Sequence, residues 1–243
     1  MDYIELKDQC IQWIRDWYER NGKGCRAVLG MSGGKDSTVA AALCAEALGK
    51  ENVVGVAMPA EGQSLNGADE ICEYLGIRYI CAPIASIVKG FEDVRAVVEE
   101  GFSNQTEQNI PPRVRMCVLY AISQSVNGRV VNTCNLSEDW VGYATRWGDS
   151  VGDFSPLGGL TVQEIKGIGH ALGIPAKWVD KIPDDGLPHS CSDEQKFGFT
   201  YEVLDRYIRT GVCEDEAVRE KIDRMHRNNL FKLSMPEAFK PEL

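Results

Sequence analysis

At 243 residues, with 44% apolar and 26% charged side chains, the chain can bury a full core and is too apolar to be disordered. Its 36 acidic against 26 basic residues give a net charge of −10, which argues against the basic face that a nucleic-acid partner favours. No basic-then-apolar leader opens the chain, and no apolar run nears the roughly 20 residues of a membrane span, so a cytoplasmic protein with no membrane partner is expected.

The first element is an amphipathic helix over 3–20, whose Ile4, Leu6, Cys10, Ile11, Trp13, Ile14, Trp17 and Tyr18 recur at helical spacing and make an aromatic face. Asn21-Gly22 ends it. Arg26-Ala27-Val28-Leu29 reads as a buried strand and Thr38–Leu48 as a helix. Between them lies Gly30-Met31-Ser32-Gly33-Gly34-Lys35-Asp36-Ser37. A turn from a strand into a helix N-terminus presents free N–H groups and partial positive charge, which makes it an anion site. Gly33 and Gly34 let a phosphate approach the backbone, and Ser32 and Ser37 add hydroxyl donors. Asp36 would repel phosphate unless a Mg²⁺ ion lay between them. The stretch is neither a Walker A loop nor a dinucleotide G-x-G-x-x-G.

Asn52–Met58 is a second strand, stopped by Pro59. Ala57, Met58 and Pro59 at its carboxyl end are either part of an adenine pocket or plain strand-end packing. A helix at 66–75, a strand at 77–82 and a helix at 85–100 follow, then a loop at 101–105. Asn109-Ile110-Pro111-Pro112-Arg113-Val114-Arg115-Met116 opens the next helix, with the prolines in its first turn and Val118, Ile122 and Val126 as its buried stripe. Arg113 and Arg115 suit phosphate or carboxylate. Arg129–Cys134 is a fourth strand. Residues 134–160 read as a long Gly-rich loop, and its Trp140, Tyr143, Arg146 and Trp147 suit an aromatic, charged ligand. A helix at 161–172 is followed by a loop at 181–192 of lid-like composition. Helices at 193–210 and 214–229 close the series, and Arg224, His226 and Arg227 form a basic cluster on the last one. The nine cysteines have no C-x-x-C pair and sit mostly in apolar runs, which reads as buried, reduced thiols. The three histidines lack metal-ligand spacing. Alternating strands and helices imply an α/β fold, a doubly wound parallel sheet with flanking helices.

The order S-G-G-x-D-S resembles the loop of the ATP pyrophosphatases, which cleave ATP to AMP and pyrophosphate. Further segments narrow the resemblance to NAD⁺ synthetases: Arg113-Val114-Arg115-Met116, Asn132-Thr133-Cys134-Asn135-Leu136-Ser137-Glu138, Gly142-Tyr143-Ala144-Thr145-Arg146-Trp147-Gly148-Asp149, Lys181-Ile182-Pro183, Ser192-Asp193-Glu194 and Arg224-Met225-His226-Arg227. It runs in order from about residue 5 to about 240.

The resemblance implies an adenine-nucleotide alpha-hydrolase-like, Rossmann-like fold, with residues 1–243 as a single NAD⁺ synthetase domain. The implied reaction amidates deamido-NAD⁺ with ammonia and ATP as co-substrate, in a homodimer. It places Gly30, Met31, Ser32, Gly33, Gly34, Lys35, Asp36, Ser37, Met58 and Thr133 at ATP, and Asp36 and Glu138 at Mg²⁺. It places Arg113, Arg146, Asp153, His226 and Arg227 at deamido-NAD⁺. Three positions depart from the family pattern. Arg146 stands for a Lys, Val162 for a Lys facing ATP, and Asp184 for a Ser or Thr that meets phosphate. Other ATP pyrophosphatases, such as a tRNA-thiolating enzyme, and a non-catalytic adenine-nucleotide sensor are the competing readings. A thiolating enzyme would be expected to carry paired catalytic cysteines and a basic surface.

Overall fold

Four short strands, rich in Val and Ala, form the centre of the protein: β1 (Arg26–Gly30), β2 (Val53–Ala57), β3 (Arg78–Cys81) and β4 (Gly128–Val130). In this computed structural model, which describes residues 1–181 and 192–241, they pair in the order β3-β2-β1-β4, all parallel. Val28 pairs with Val54 on one side and Val130 on the other. The chain moves outward from β1 to β3 and then returns to place β4 beside β1. That reversal opens a crevice at the carboxyl ends of β1 and β4, where ligands bind in open parallel sheets.

Strand alternation sorts side chains between the two faces. Ala27, Leu29, Val53 and Ala57 face α1 (Tyr3–Asn21), α2 (Lys35–Leu48) and α3 (Ala68–Leu75), whose Ile14, Leu43 and Ile71 are fully buried. Val28, Val54, Val56 and Val130 face the opposite layer. There lie the short helices α4 (Ala85–Lys89) and α5 (Phe91–Ala96) and the long α6 (Asn104–Ser125). Each buried Val, Leu or Ile contributes about 1.5–3 kcal/mol. After α7 (Leu136–Val141) come α8 (Val162–Ala171), α9 (Ala176–Val179), α10 (Asp193–Phe197), α11 (Tyr201–Thr210) and α12 (Glu216–Asn229). Val141, Val162, Phe197, Leu204 and Ile222 form a third cluster that locks α7 to these later helices.

Several elements differ from the sequence reading. The helix expected over 85–100 is two short ones that meet at Gly90. α6 starts at Asn104, where Ser103 accepts a hydrogen bond from Thr106 N–H at 3.1 Å, so Pro111 and Pro112 lie inside the helix rather than in its first turn. Its buried line is Ile110, Val114, Leu119 and Ser123, with Val118, Ile122 and Val126 only partly covered. The last sheet strand stops at Val130, and Val131 makes a single bridge to Phe154. The loop expected over 134–160 contains α7, capped by Asn135. The helix expected over 193–210 breaks at Gly198, whose φ of 75° is left-handed and ends α10. Among the described residues the cysteines are free, but burial holds only for Cys44, Cys72 and Cys134; Cys81 and Cys117 are exposed. Asp184, Cys191 and most of the 181–192 loop lie outside the described residues. Among the described residues, no helix is long and apolar enough to cross a membrane.

Candidate functional site

β1 delivers the Gly-rich turn directly to the crevice. Gly34 is the N-cap of α2, and Gly33 has φ 74°. A side chain at 33 would also strike the Asn66 carbonyl, since an added Cβ would sit 2.2 Å from that oxygen. Glycine is therefore required there for both backbone and space. The Ser32 and Ser37 hydroxyls lie 3.2 Å apart, and Ser32 Oγ accepts from Gly34 N–H at 3.2 Å. Asn66 Nδ2 donates to Ser32 O at 3.1 Å, which ties the loop before α3 to the turn.

The turn forms one wall of a cleft of about 420 Å³ at the carboxyl ends of β1, β2 and β4. Gly30, Met31, Ser32, Asp36, Ser37, Met58, Thr133 and Glu138 line it. All eight are residues that the sequence reading places at ATP or the metal. Gly33 and Gly34 shape the turn without lining the cleft. Lys35 points away, into the protein. Val162, the position without the expected Lys, is buried in the third cluster.

Asp36 and Glu138 come together because Asn135 reaches both elements. Its side-chain oxygen caps α7 by accepting from Glu138 N–H at 2.9 Å, and its amide reaches Asp36 Oδ1 at 3.4 Å. Burial and the neighbouring Asp36 push the Glu138 carboxyl up to about 8, against the opposing pull of Lys35. Two acids so close favour a cation between them. Among the described residues, no group of three His, Cys, Asp or Glu side chains is placed to hold a metal unaided. Two carboxylates facing a Gly-rich turn do suit Mg²⁺, which would take its remaining ligands from a bound anion and water.

Other polar residues line the cleft without an assigned role in the sequence reading, which names Arg115 only, together with Arg113, as suited to phosphate or carboxylate. Arg115 donates from Nε to Met58 O at 3.0 Å and from Nη2 to Gln63 Oε1 at 2.6 Å. Burial pulls its guanidinium below the usual value. Pro112, Arg115, Met116 and Leu119 all line the cleft, which is one stripe of α6 at spacings of three and four. That phase distinguishes Arg115 from Arg113, and it was available in the sequence. Asp149 accepts from Thr145 N–H at 2.8 Å, and its carbonyl accepts from Asn132 Nδ2 at 3.0 Å. Burial raises its carboxyl. Gln63 and Asn66 come from the loop before α3, where no sequence signal marks them.

The five residues that the family resemblance implies for deamido-NAD⁺ lie outside this cleft. Arg113 Nε donates to Arg146 O at 3.4 Å, which brings those two together. The Arg146 guanidinium stacks 5.0 Å from the Trp147 ring and 5.3 Å from the Phe231 ring, and its Nη2 donates to Ser234 O at 3.1 Å. Asp153 accepts from Val130 N–H at 2.7 Å and from the Tyr120 hydroxyl at 3.3 Å, joining β4 to α6. His226 stacks on Trp140 with centroids 4.0 Å apart and bonds Trp140 O through Nδ1 at 2.9 Å. Arg227 is exposed on α12.

Comparison with known proteins fits this geometry. The NAD synthase family profile matches residues 6–243. An NH₃-dependent NAD⁺ synthetase of Methanococcus aeolicus is 38% identical over 193 residues, 78% of this chain and 75% of that protein. An NMN synthetase from Francisella tularensis superposes over 100% of both chains with a TM-score of 0.89 and 28% identity. An NH₃-dependent NAD synthetase from Campylobacter jejuni does so over 99% of this chain and 100% of its own, with a TM-score of 0.79 and 28% identity. With the Gly-rich turn at the carboxyl end of β1 and two acids facing it, the match over nearly the whole length shows that this chain belongs to the NAD synthase family.

Proposed function

We propose that this protein is an ammonia-dependent NAD⁺ synthetase, a ligase that amidates deamido-NAD⁺ and converts ATP to AMP and pyrophosphate. The observation that carries the reading is the S-G-G-x-D-S turn opening into a cleft that Asp36 and Glu138 both line. Ammonia cannot displace oxide from a carboxylate. The carboxylate oxygen therefore attacks the α-phosphorus of ATP, pyrophosphate departs, and an acyl-adenylate forms. Ammonia then adds to its carbonyl carbon, a proton is lost, and AMP leaves. No side-chain nucleophile is needed, so the protein acts by positioning and by stabilising charge.

In this reading Ser32, Gly33, Gly34 and Ser37 hold the phosphates, and Met58 and Thr133 lie along the nucleoside. Asp36 and Glu138 hold Mg²⁺, which supplies positive charge to the departing pyrophosphate. Arg113, Arg146, Asp153, His226 and Arg227 serve the acid substrate. The Arg113–Arg146 contact and the Trp140–His226 stack support a shared site beside α7. Residues 1–243 work as a single cytoplasmic domain. We further propose a homodimer, supported by exposed Tyr3, Ile4 and Trp13 on α1. Sedimentation at assay concentration tests it, and an active monomer would refute it. Incubation with ATP, Mg²⁺, ammonium and deamido-NAD⁺ tests the reaction, and absence of NAD⁺ would refute it.

The 0.89 TM-score with the Francisella tularensis enzyme favours a second reading, in which the acid is nicotinate mononucleotide and the product NMN. Parallel assays with the two acids decide between them by the ratio of kcat/KM values.

A further inference from the structure

Lys35 fills the variable position of S-G-G-x-D-S, yet its side chain is only 2% exposed. Lysine is seldom buried without a partner. Here Nζ lies 2.8 Å from Asp36 Oδ2, and the Tyr201 ring of α11 lies 5.7 Å beneath it. The charges of Glu138 and Asp193 also act on it. Asp193 has other partners, the Tyr201 hydroxyl at 3.4 Å and Lys196 at 3.7 Å. Lys35 is thus the buried cation paired with Asp36 and next to Glu138, the two acids read above as ligands of a divalent cation.

We propose that Lys35 is a tethered counter-cation that balances Asp36 and Glu138 when no metal is bound, so that a divalent cation binds well only together with the triphosphate. This rests on the reading of Asp36 and Glu138 as metal ligands. A cation arriving alone brings a double positive charge close to a buried ammonium that solvent cannot screen. A cation arriving with ATP brings the triphosphate's negative charge with it. By linkage, metal and nucleotide then favour each other reciprocally. Replacing Lys35 with a neutral side chain removes the repulsion and strengthens binding of the free metal.

The test is titration of Mn²⁺ alone into nucleotide-free wild type, Lys35→Met and Lys35→Gln, following free Mn²⁺ by electron paramagnetic resonance. Circular dichroism establishes folding, and Lys35→Gln serves where Lys35→Met does not fold. At least tenfold tighter Mn²⁺ binding is expected in the folded variants. Binding of an α,β-methylene ATP analogue in EDTA should change less than threefold. Equal or weaker Mn²⁺ binding would overturn the proposal. So would a tenfold loss of analogue binding in EDTA with unchanged Mn²⁺ affinity, which would make Lys35 a phosphate ligand. Amide formation by the wild type tests the proposed reaction separately, since it does not depend on how the free metal binds.

Discussion

Asp205→Ala tests whether the later helices hold Glu138 in place. Asp205 projects from α11 and is 5% exposed. Its carboxylate accepts from the Ser137 hydroxyl at 2.5 Å and from Gln163 N–H at 2.8 Å. Ser137 Oγ in turn accepts from Val162 N–H at 3.1 Å. One buried carboxylate therefore joins α11 to the first turn of α8 and to the residue before Glu138. Alanine leaves the Ser137 hydroxyl and the Gln163 N–H without an acceptor, at about 1–3 kcal/mol each. Burial already disfavours the charged carboxylate and raises its pKa, which offsets part of that loss. A net loss of about 2–4 kcal/mol follows, equivalent to a Tm lower by roughly 5–15 °C for a chain of this size. Urea titration and calorimetry of wild type, Asp205→Ala, Ser137→Ala and the double variant give the energies. Contact across the hydrogen bond predicts a coupling of about 1–2 kcal/mol. Turnover should also fall at temperatures where every variant is folded. A loss below about 0.5 kcal/mol, the size of an ordinary surface change, would refute the argument, as would strict additivity.

Asp36→Asn and Glu138→Gln should each reduce turnover to near background while circular dichroism stays native; near-normal activity would remove them from the metal site. Arg146→Ala should raise KM for the acid substrate about tenfold or more, as expected for a lost charged hydrogen bond of roughly 1.5–3 kcal/mol, and leave KM for ATP nearly unchanged. An effect confined to ATP would show that Arg146 serves the other substrate. Acid stability should depend on Glu164, which accepts from Arg209 Nε at 2.8 Å and from Thr161 N–H at 2.9 Å. Burial alone would raise this carboxyl, but the Arg209 and Thr161 hydrogen bonds carry it below its usual value. Its stabilisation is therefore complete above the unfolded pKa of about 4.3 and lost as pH falls through the folded value. Tm measured from pH 6 to pH 3 should fall less steeply in Glu164→Gln than in wild type.

The Gly-rich turn between β1 and α2 was legible because everything that makes it is local. A strand, two glycines, two serines and a helix N-terminus lie within twenty consecutive residues, and no distant contact changes their meaning. The parallel sheet was legible from the same alternation of apolar strands and helices. What failed were elements whose limits depend on tertiary contacts. The six residues of α7 are too few to show a helical period, and the packing of Val141 against the third cluster holds them in place. The start of α6 was misplaced because two prolines usually mark a first turn, whereas here the Ser103 cap lies a full two turns earlier. Arg113 and Arg115 read alike as residue types, and only the helix phase, with Pro112, Arg115, Met116 and Leu119 on the cleft side, separates them.

The segment beside α7 is organised differently from the cleft at the Gly-rich turn. His226 bonds Trp140 O, Asn229 Nδ2 reaches Val141 O at 3.3 Å, and Lys232 Nζ reaches Gly142 O at 2.8 Å. Arg146 completes the row through Ser234 O. Residues 226–234 thus hold residues 140–146 almost one for one, and three of these four bonds end on main-chain carbonyls of that segment. Main-chain carbonyls are present whatever the side chain, so this support survives substitution at Tyr143 or Trp147. The cleft has no such latitude, because Gly33 must be glycine and Asp36 and Glu138 must be acids for the chemistry proposed. If the proposed assignments hold, variation in the acid substrate can accumulate on the 140–147 segment without disturbing ATP activation. A fold shared by neighbours named for NAD and for NMN is what that division of labour predicts.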